Sequence, residues 1–160
     1  MMKKDTILNT LKLEYPDSFD KMEQSELKKY YSSVTNRWGI IYRDQHMIIS
    51  VGWTKEIGLF GSLFVDEKSF LSGYDKRSRQ GLRSYKRTED IDKTVCGSDA
   101  RGFAFEYESN DSNTPMFGKI VVFKTGKRLW LAEYATSNTD TLFCNMAFDM
   151  VLDSIRATTA

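Results

Sequence analysis

Residues 118–135 read Gly-Lys-Ile-Val-Val-Phe-Lys-Thr-Gly-Lys-Arg-Leu-Trp-Leu-Ala-Glu-Tyr-Ala. Two runs rich in β-branched and aromatic residues are separated here by a short link, Thr125-Gly126-Lys127. Such runs are typical of strands, and a short link that contains glycine is typical of a β-hairpin. The stretch therefore predicts two antiparallel strands, over 118–124 and 128–135.

The strand pattern continues on the N-terminal side of this hairpin. Residues 101–108 alternate, with aromatic side chains on one side of a predicted strand. Residues 38–43 and 47–54 predict a second hairpin, and residues 8–15 predict a strand near the start of the chain. The polar residues 84–96 predict an edge strand. Because the strands follow one another through short turns, we expect a mainly antiparallel sheet.

Two segments upstream of the hairpin predict helices. Residues 21–31 suit a short helix, with Asp20 as its N-cap. A longer helix is expected from its N-cap Asp66 to about Arg83, because apolar side chains recur on one side of it at helical spacing.

The clearest helix is predicted over residues 140–156. Most of its positions are apolar, including Phe148. A helix this apolar should be mostly covered, on a sheet or in an interface, and Cys144 within it should act as a packing residue. One narrow polar stripe, at helical spacing, is formed by Asn145, Asp149, Asp153 and Arg156.

Composition predicts one soluble α+β domain with its own core. The chain has 160 residues, 41% hydrophobic and 28% charged, with 23 Lys+Arg against 22 Asp+Glu. A chain of this length needs no metal or disulfide to fold, and its balanced charge argues against a polyanion binder throughout. The single histidine, His46, and the two cysteines exclude sites built on paired imidazoles or on four thiolates. We therefore expect no metal and no cofactor.

The N-terminal residues predict a cytoplasmic protein. Asp5, Asn9 and Lys12 interrupt any apolar run of the length that a secretory signal requires. No stretch approaches the roughly 20 apolar residues of a membrane span, so we expect no membrane association. In the cytoplasm Cys96 and Cys144 should stay reduced.

Four phrases, spread along the chain, resemble those of one known superfamily. Residues 13–19, Leu-Glu-Tyr-Pro-Asp-Ser-Phe, suggest an opening strand and a Pro-x-x-Phe turn. Residues 93–107 combine a glycine hairpin with an aromatic strand, residues 119–134 form the next hairpin, and residues 148–155 form the end of a closing helix. Together they resemble the PsbP-like superfamily, which includes the photosystem II subunit PsbP, Ran-binding Mog-type proteins and bacterial DcrB-like proteins.

The resemblance covers about residues 8–156. It implies an α/β/α sandwich with a central, mainly antiparallel sheet and a long C-terminal helix packed on it. It implies no single activity, since members of the superfamily serve as assembly factors and partner binders. The sequence lacks the lipoprotein signal of many bacterial members and matches neither the functional segments of the plant subunit nor a Ran-binding surface, so those roles are not carried over.

Catalysis has little support in the sequence. There is no nucleophile elbow and no phosphate-binding loop. A histidine next to a hairpin turn is ordinarily solvated, and alternating carboxylates on a sheet ordinarily face solvent. The side chains that could act are His46 with Asp44 or Glu56 as a general base, and a carboxylate pair drawn from Glu106, Glu108 and Glu133.

A basic cluster offers an anion-binding alternative. Six cations fall within residues 76–87 with no acid among them, and on a continuous helix several would share one side. Tyr85 is the only aromatic residue in the cluster, so base stacking and nucleic-acid binding have little support. A solvated helix end explains the charges more simply. The candidate anion-binding residues are Lys76, Arg79 and Arg83.

The segment Gly58–Phe64 is apolar and punctuated by glycine, which is unusual for a loop. It could fold inward as a lid, or it could contact a partner protein, a small apolar ligand or a second copy of the chain in a homodimer. The candidate contact surface consists of Trp53, Leu59, Phe60, Leu63 and Phe64.

The sequence thus favours a non-catalytic cytoplasmic binding or interaction module. The alternative is a small-molecule or lipid-binding domain with a pocket under the 58–64 loop. Polyanion binding through the 76–87 cluster is the third interpretation.

Overall fold

The computed structural model describes residues 1–31, 36–55, 66–137 and 139–158. Its helices are α1 (Gln24–Leu27), α2 (Glu67–Gly81) and α3 (Thr141–Ser154), and a short 3-10 turn covers Arg43–Gln45. Its strands are β1 (Met2–Ile7), β2 (Leu11–Pro16), β3 (Asp20–Lys21), β4 (Arg37–Tyr42), β5 (Met47–Trp53), β6 (Arg83–Val95), β7 (Ser98–Glu108), β8 (Pro115–Thr125), β9 (Arg128–Thr136) and β10 (Arg156–Ala157).

The strands form two sheets in which neighbouring strands are antiparallel. The large sheet has seven strands in the order β3-β4-β5-β9-β8-β7-β6, and the small one has three in the order β1-β2-β10. The predicted hairpin is β8–β9, in which Ile120 lies opposite Glu133 and Phe123 lies opposite Trp130. The predicted edge strand is β6. The expected α+β class, with a mainly antiparallel sheet, is confirmed.

Each face of the large sheet is covered by a different layer. The small sheet and α3 cover one face, which we call the α3 face. Its core includes Phe123, Trp130 and Phe148, each no more than 1% exposed. The opposite face, the α2 face, is covered by α1 and α2. These layers make the predicted α/β/α sandwich, with the C-terminal helix packed on the sheet.

Two predicted elements near the N-terminus are wrong in extent. Residues 8–10 form a turn between β1 and β2, with Leu8 and Asn9 at φ 54° and 56°, so the strand predicted over 8–15 begins later. The helix predicted over 21–31 is limited to α1, and its expected cap, Asp20, lies in β3. Residues 8–10 are needed for the turn that joins β1 to β2, and Asp20 and Lys21 pair with Ile41 and Ile40 of β4, so neither segment follows its local sequence pattern.

The predicted burial of α3 is also corrected. Phe148 is buried as expected, but an apolar stripe on the outer side of the helix faces solvent. The reason is that the sheet contacts α3 from one side only, whereas the apolar positions run around most of the helix. The exposed stripe consists of Leu142, Met146 and Met150, which are 71%, 57% and 44% exposed.

Candidate functional site: a tyrosine pocket on the α2 face

The α2 face carries two separate apolar clusters with a gap between them. One cluster lies under α2 and includes Leu71, Phe103 and Ile120. The other lies beside α1 and is formed by Met22, Leu27, Ile41 and Ile48. The gap lies over β9, at the middle of the large sheet, because no described helix crosses the sheet at that point.

A cavity of about 540 Å³ occupies this gap, and we call it the tyrosine pocket. The floor of the pocket leaves space above the sheet because Ala135 on β9 has a small side chain and its neighbour on β8 is Gly118. The Phe105 ring lies against Gly118, so closely that an added Cβ would be 2.7 Å from its Cζ. The pocket is lined by Tyr30, Tyr31, Tyr74, Tyr107, Glu133, Ala135, Phe105, Ile41, Ile48, Leu82, Met116, Arg43, His46 and Ser137.

A buried charged network forms the inner end of the pocket. Glu133 is only 7% exposed, and its Oε2 accepts a 2.7 Å hydrogen bond from the Tyr74 hydroxyl. Its Oε1 lies 3.4 Å from the Arg37 guanidinium, which also donates a 2.9 Å bond to Ser50 Oγ. A buried carboxylate needs such partners, because an isolated charge in the interior is costly. The network therefore holds the Glu133 carboxylate in a fixed position at the pocket.

Three tyrosines around Glu133 have raised pKa values. Burial raises the pKa of Tyr31, Tyr74 and Tyr107, and the negative charge of Glu133 raises each of them further. For Tyr74 the hydrogen bond to Glu133 acts in the same direction. The rings therefore stay neutral, with uncharged hydroxyls and intact π faces, throughout the physiological pH range. The Arg37 guanidinium already lies over one of these faces, 4.0 Å from the Tyr31 centroid.

The outer rim of the pocket is polar. Arg43 is exposed and makes two hydrogen bonds, of 2.9 and 3.1 Å, to the carboxylate of Glu26 on α1. His46 follows the 3-10 turn in a left-handed conformation, with φ 52°, and its carbonyl accepts a bond from Thr136 Oγ1. A rim of this kind leaves the pocket open to solvent while its inner end is buried, which suits binding of a ligand from solution.

The predicted contact surface can be placed only at Trp53. This half-buried side chain lies at the end of β5, its ring 5.9 Å from that of Trp130, and it lines a second cavity of about 200 Å³. The other four members, Leu59, Phe60, Leu63 and Phe64, lie outside the described residues. Contact through this loop therefore stays a prediction.

The predicted placement of the basic cluster on one helix is wrong. Helix α2 ends at Gly81, and Arg83 is the first residue of β6. Lys76 and Arg79 lie on the exposed side of α2, and Arg79 is 3.4 Å from Asp75. The helix cannot continue through the cluster because β6 pairs with β7 from residue 83 onward. Anion binding by these residues remains a prediction.

The structure does not bring the candidate catalytic carboxylates together. Glu106 lies on the opposite face of the sheet from Glu133 and is 3.4 Å from Lys86. Glu108 shares the face of Glu106 because strand side chains alternate. The expectation that Glu133 faces solvent is wrong, since it is buried on the α2 face. His46 is exposed at the pocket rim, and Glu56 lies outside the described residues.

Other expectations concern metals, membranes and thiols. In the described ranges no group of three or more His, Cys, Asp or Glu side chains could hold a metal ion. Among the same residues, no helix is long and apolar enough to cross a bilayer. Cys96 is half-buried and Cys144 buried, and neither forms a disulfide. Cys144 packs in the core of the α3 face, as predicted, and burial raises the pKa of its thiol.

The network centred on Glu133 was not anticipated from the sequence, although one signal was present. Glu133 is the only charged residue in the run Leu129–Ala135, which otherwise contains apolar and aromatic residues. A carboxylate inside such a strand indicates a buried, partnered charge. Its partners Arg37 and Tyr74 lie far away in the sequence, so local patterns could not identify them.

The sequence matches no protein-family model and no curated protein. The structure, in contrast, is similar to several solved structures. Cyanobacterial PsbP (CyanoP) from Synechocystis has a TM-score of 0.68 at 13% identity, covering 98% of this chain and 92% of that chain. A Mog1 mutant has a TM-score of 0.60 at 7% identity, covering 98% and 95%. LpqN of Mycobacterium tuberculosis, involved in cell envelope biogenesis, has a TM-score of 0.61 at 16% identity, covering 93% and 83%.

Proposed function

Since the chain has the fold of PsbP-like proteins, we propose that it is a non-catalytic binding module and that the tyrosine pocket is its ligand site. The fold alone does not identify a ligand, because one fold can serve many functions. The proposal therefore rests on the site.

One observation carries the proposal, namely that the pocket is both large and chemically organised. Its volume of about 540 Å³ lies within the range of small-molecule sites. Packing defects in a core are usually small and apolar. Here a buried carboxylate, held by Arg37 and Tyr74, reaches a cavity with apolar and aromatic walls. Apolar walls with a few fixed polar groups are the usual design of a ligand site.

The proposed site lies at a different position from the pocket that the sequence suggested. The sequence favoured a pocket or contact surface at the 58–64 loop, whereas the described cavity lies between α1 and α2. A partner protein that inserts a side chain into the tyrosine pocket remains compatible with the interaction role. A cytoplasmic location also remains part of the proposal.

A cavity-filling substitution tests the proposal. Ala135→Leu places a larger side chain on the pocket floor. Ala104→Leu is the matched control, because Ala104 is half-buried on β7 and points to the opposite face of the sheet. A library of small fragments is screened by ligand-observed NMR against the wild-type protein and both variants. We expect fragments that bind the wild type and Ala104→Leu but lose binding to Ala135→Leu. Fragments that bind all three proteins equally would contradict the proposal.

A further inference from the structure

We propose that the tyrosine pocket recognises an ammonium group carried on an apolar chain, either in a free alkylamine or in a lysine side chain of a partner protein. This inference rests on the proposed function and adds the chemical class of the ligand. It is carried by the position of Glu133 relative to Arg37 and by the aromatic side chains around it.

The buried charge that lines the pocket is negative. Glu133 lines the tyrosine pocket, whereas Arg37 approaches it from the side of the second cavity, near Gly52 and Trp53. The salt bridge uses Oε1 at 3.4 Å, and Tyr74 donates to Oε2. Each carboxylate oxygen can accept more than one hydrogen bond, so Glu133 retains acceptor capacity toward the cavity. A ligand that donates hydrogen bonds and carries positive charge is complementary to this end of the pocket.

Aromatic side chains line the same pocket. Tyr31, Tyr74 and Tyr107 line the pocket, and the ring of Phe105 is stacked on that of Tyr107 with centroids 6.0 Å apart. Aromatic rings attract cations through their quadrupole, and cages of such rings recognise ammonium groups. The guanidinium of Arg37 lies 4.0 Å from the Tyr31 centroid, so one face of that ring already holds a cation of this chain.

The positive groups at the rim do not reverse this preference. The guanidinium of Arg43 is paired with Glu26 through two hydrogen bonds. Both Arg43 and His46 are exposed, so solvent screens them, whereas the buried Glu133 is screened far less. The charge of Glu133 acts at Tyr74 and Tyr107, where it adds to the effect of burial in raising the pKa of each hydroxyl.

The remaining walls of the pocket are apolar, and they favour a ligand whose ammonium group is attached to an apolar chain. Ile48, Leu82 and Met116 contribute apolar surface to the pocket wall. A short alkyl chain would cover this surface while its terminal ammonium reached Glu133. A methionine in the wall adapts to chains of different shape, because its side chain is unbranched and polarisable.

Three probes of similar length separate the contributions of charge and of apolar burial. Hexylammonium, hexanol and hexanoate are titrated into the labelled protein, and the amide resonances of Glu133, Ala135 and Tyr107 are followed by NMR. We expect hexylammonium to bind roughly ten- to hundredfold more tightly than hexanol, as a desolvated cation–π contact and a charge-assisted hydrogen bond would give. Hexanoate should bind most weakly.

Two variants test the named residues. Glu133→Gln should abolish the preference for hexylammonium over hexanol, and Tyr107→Leu should reduce it while keeping an apolar wall. The dispersion of the amide spectrum checks that each variant is folded. The comparison of the three probes on the wild-type protein does not depend on either variant.

The outcomes separate this inference from the proposed function. Equal binding of hexanol and hexylammonium in the pocket, or tighter binding of hexanoate, would overturn the ammonium inference and leave the binding site standing. Binding of fragments in the pocket, with no binding of the three probes, would also overturn the ammonium inference and leave the binding site standing. If neither fragments nor probes bind in the pocket, both proposals fail. A short lysine-containing peptide that binds more tightly than hexylammonium would support a protein partner, and the reverse order would support a free amine.

Discussion

The two faces of the large sheet differ in what they bury. On the α3 face, β9 contributes Trp130, Ala132 and Tyr134 to a continuous apolar core. On the α2 face, the same strand contributes Glu133 and Ala135 to a pocket with a buried charge. Neighbouring residues of one strand thus serve opposite purposes. The comparison teaches that the α3 face is packed as one continuous core, whereas the α2 face divides its apolar packing into two clusters and leaves room between them for a site with a buried charge.

The largest expected effect lies on the α3 face. Phe148 is 1% exposed and its ring is 5.0 Å from that of Tyr134. Phe148→Ala should lower the free energy of unfolding by about 3–5 kcal/mol, because it leaves a cavity in a packed core. Urea denaturation followed by circular dichroism measures the loss. A loss below about 1 kcal/mol would mean that the α3 face is not the stable core described here.

A matched pair of substitutions on β9 compares the two faces directly. Ala132 is fully buried on the α3 face, whereas Ala135 opens into the tyrosine pocket. Ala132→Leu should cost about 1–3 kcal/mol through overpacking, while Ala135→Leu should change the free energy of unfolding by less than about 1 kcal/mol. Equal costs in denaturant titrations would show that the pocket is no more open than the core.

The charged network should make a smaller but measurable contribution. Glu133→Gln removes the charge that Arg37 pairs with, and it should lower the free energy of unfolding by about 1–3 kcal/mol. The double variant Arg37→Met with Glu133→Leu should be more stable than either of its single variants, since both charges leave together. A double variant less stable than both single ones would contradict this account of the network.

The pocket tyrosines provide a pH test. The folded-state pKa values of Tyr31, Tyr74 and Tyr107 lie above those of free tyrosine. Their contribution to stability is therefore complete below the unfolded pKa of about 10 and is lost as the pH rises through the folded values. Tyrosinate absorbance should show ionisation at lower pH in Glu133→Gln than in the wild type. An unchanged titration would mean that Glu133 does not act on these rings.

The smallest effect is expected on the outer side of α3. Met146 is 57% exposed, so Met146→Ser should change the free energy of unfolding by no more than about 0.5 kcal/mol. The wild-type and variant proteins should also sediment alike in analytical ultracentrifugation. A variant that sediments as a smaller species than the wild type would show that the stripe is covered by a second copy.

Much of the fold could be predicted because its signals are local. The β8–β9 hairpin follows from two apolar runs around Gly126, and the start of α2 follows from Asp66, whose side chain accepts a 2.7 Å hydrogen bond from the Ser69 amide. The start of α1 could not be predicted in this way, because residues 20 and 21 pair with β4, and the start of β2 depends on a partner strand, β1, that the sequence pattern did not indicate. The same holds for the outer side of α3, where composition alone could not show which apolar residues the sheet reaches.

The site could not be predicted, because its members are distant in sequence. Tyr31, Tyr74, Tyr107 and Glu133 come from four separate parts of the chain and meet only because α2 and the segment after α1 pack on the large sheet. The sequence singled out His46 and Glu133 as candidates, but for catalysis and with the wrong geometry. The apolar 58–64 loop drew attention because its composition is unusual, whereas the cavity leaves no compositional mark beyond two small residues on its floor, Ala135 and Gly118.

The central claim is that β9 places a stable core on one side and a binding site on the other. It is tested most directly by measuring the affinity of one pocket-binding fragment for Ala132→Leu and for Ala135→Leu by NMR titration. The account predicts that Ala132→Leu, although less stable, binds the fragment as the wild type does, and that Ala135→Leu, although stable, does not bind it. If Ala135→Leu retains wild-type affinity, or if Ala132→Leu loses it while still folded, the division between the two faces is contradicted.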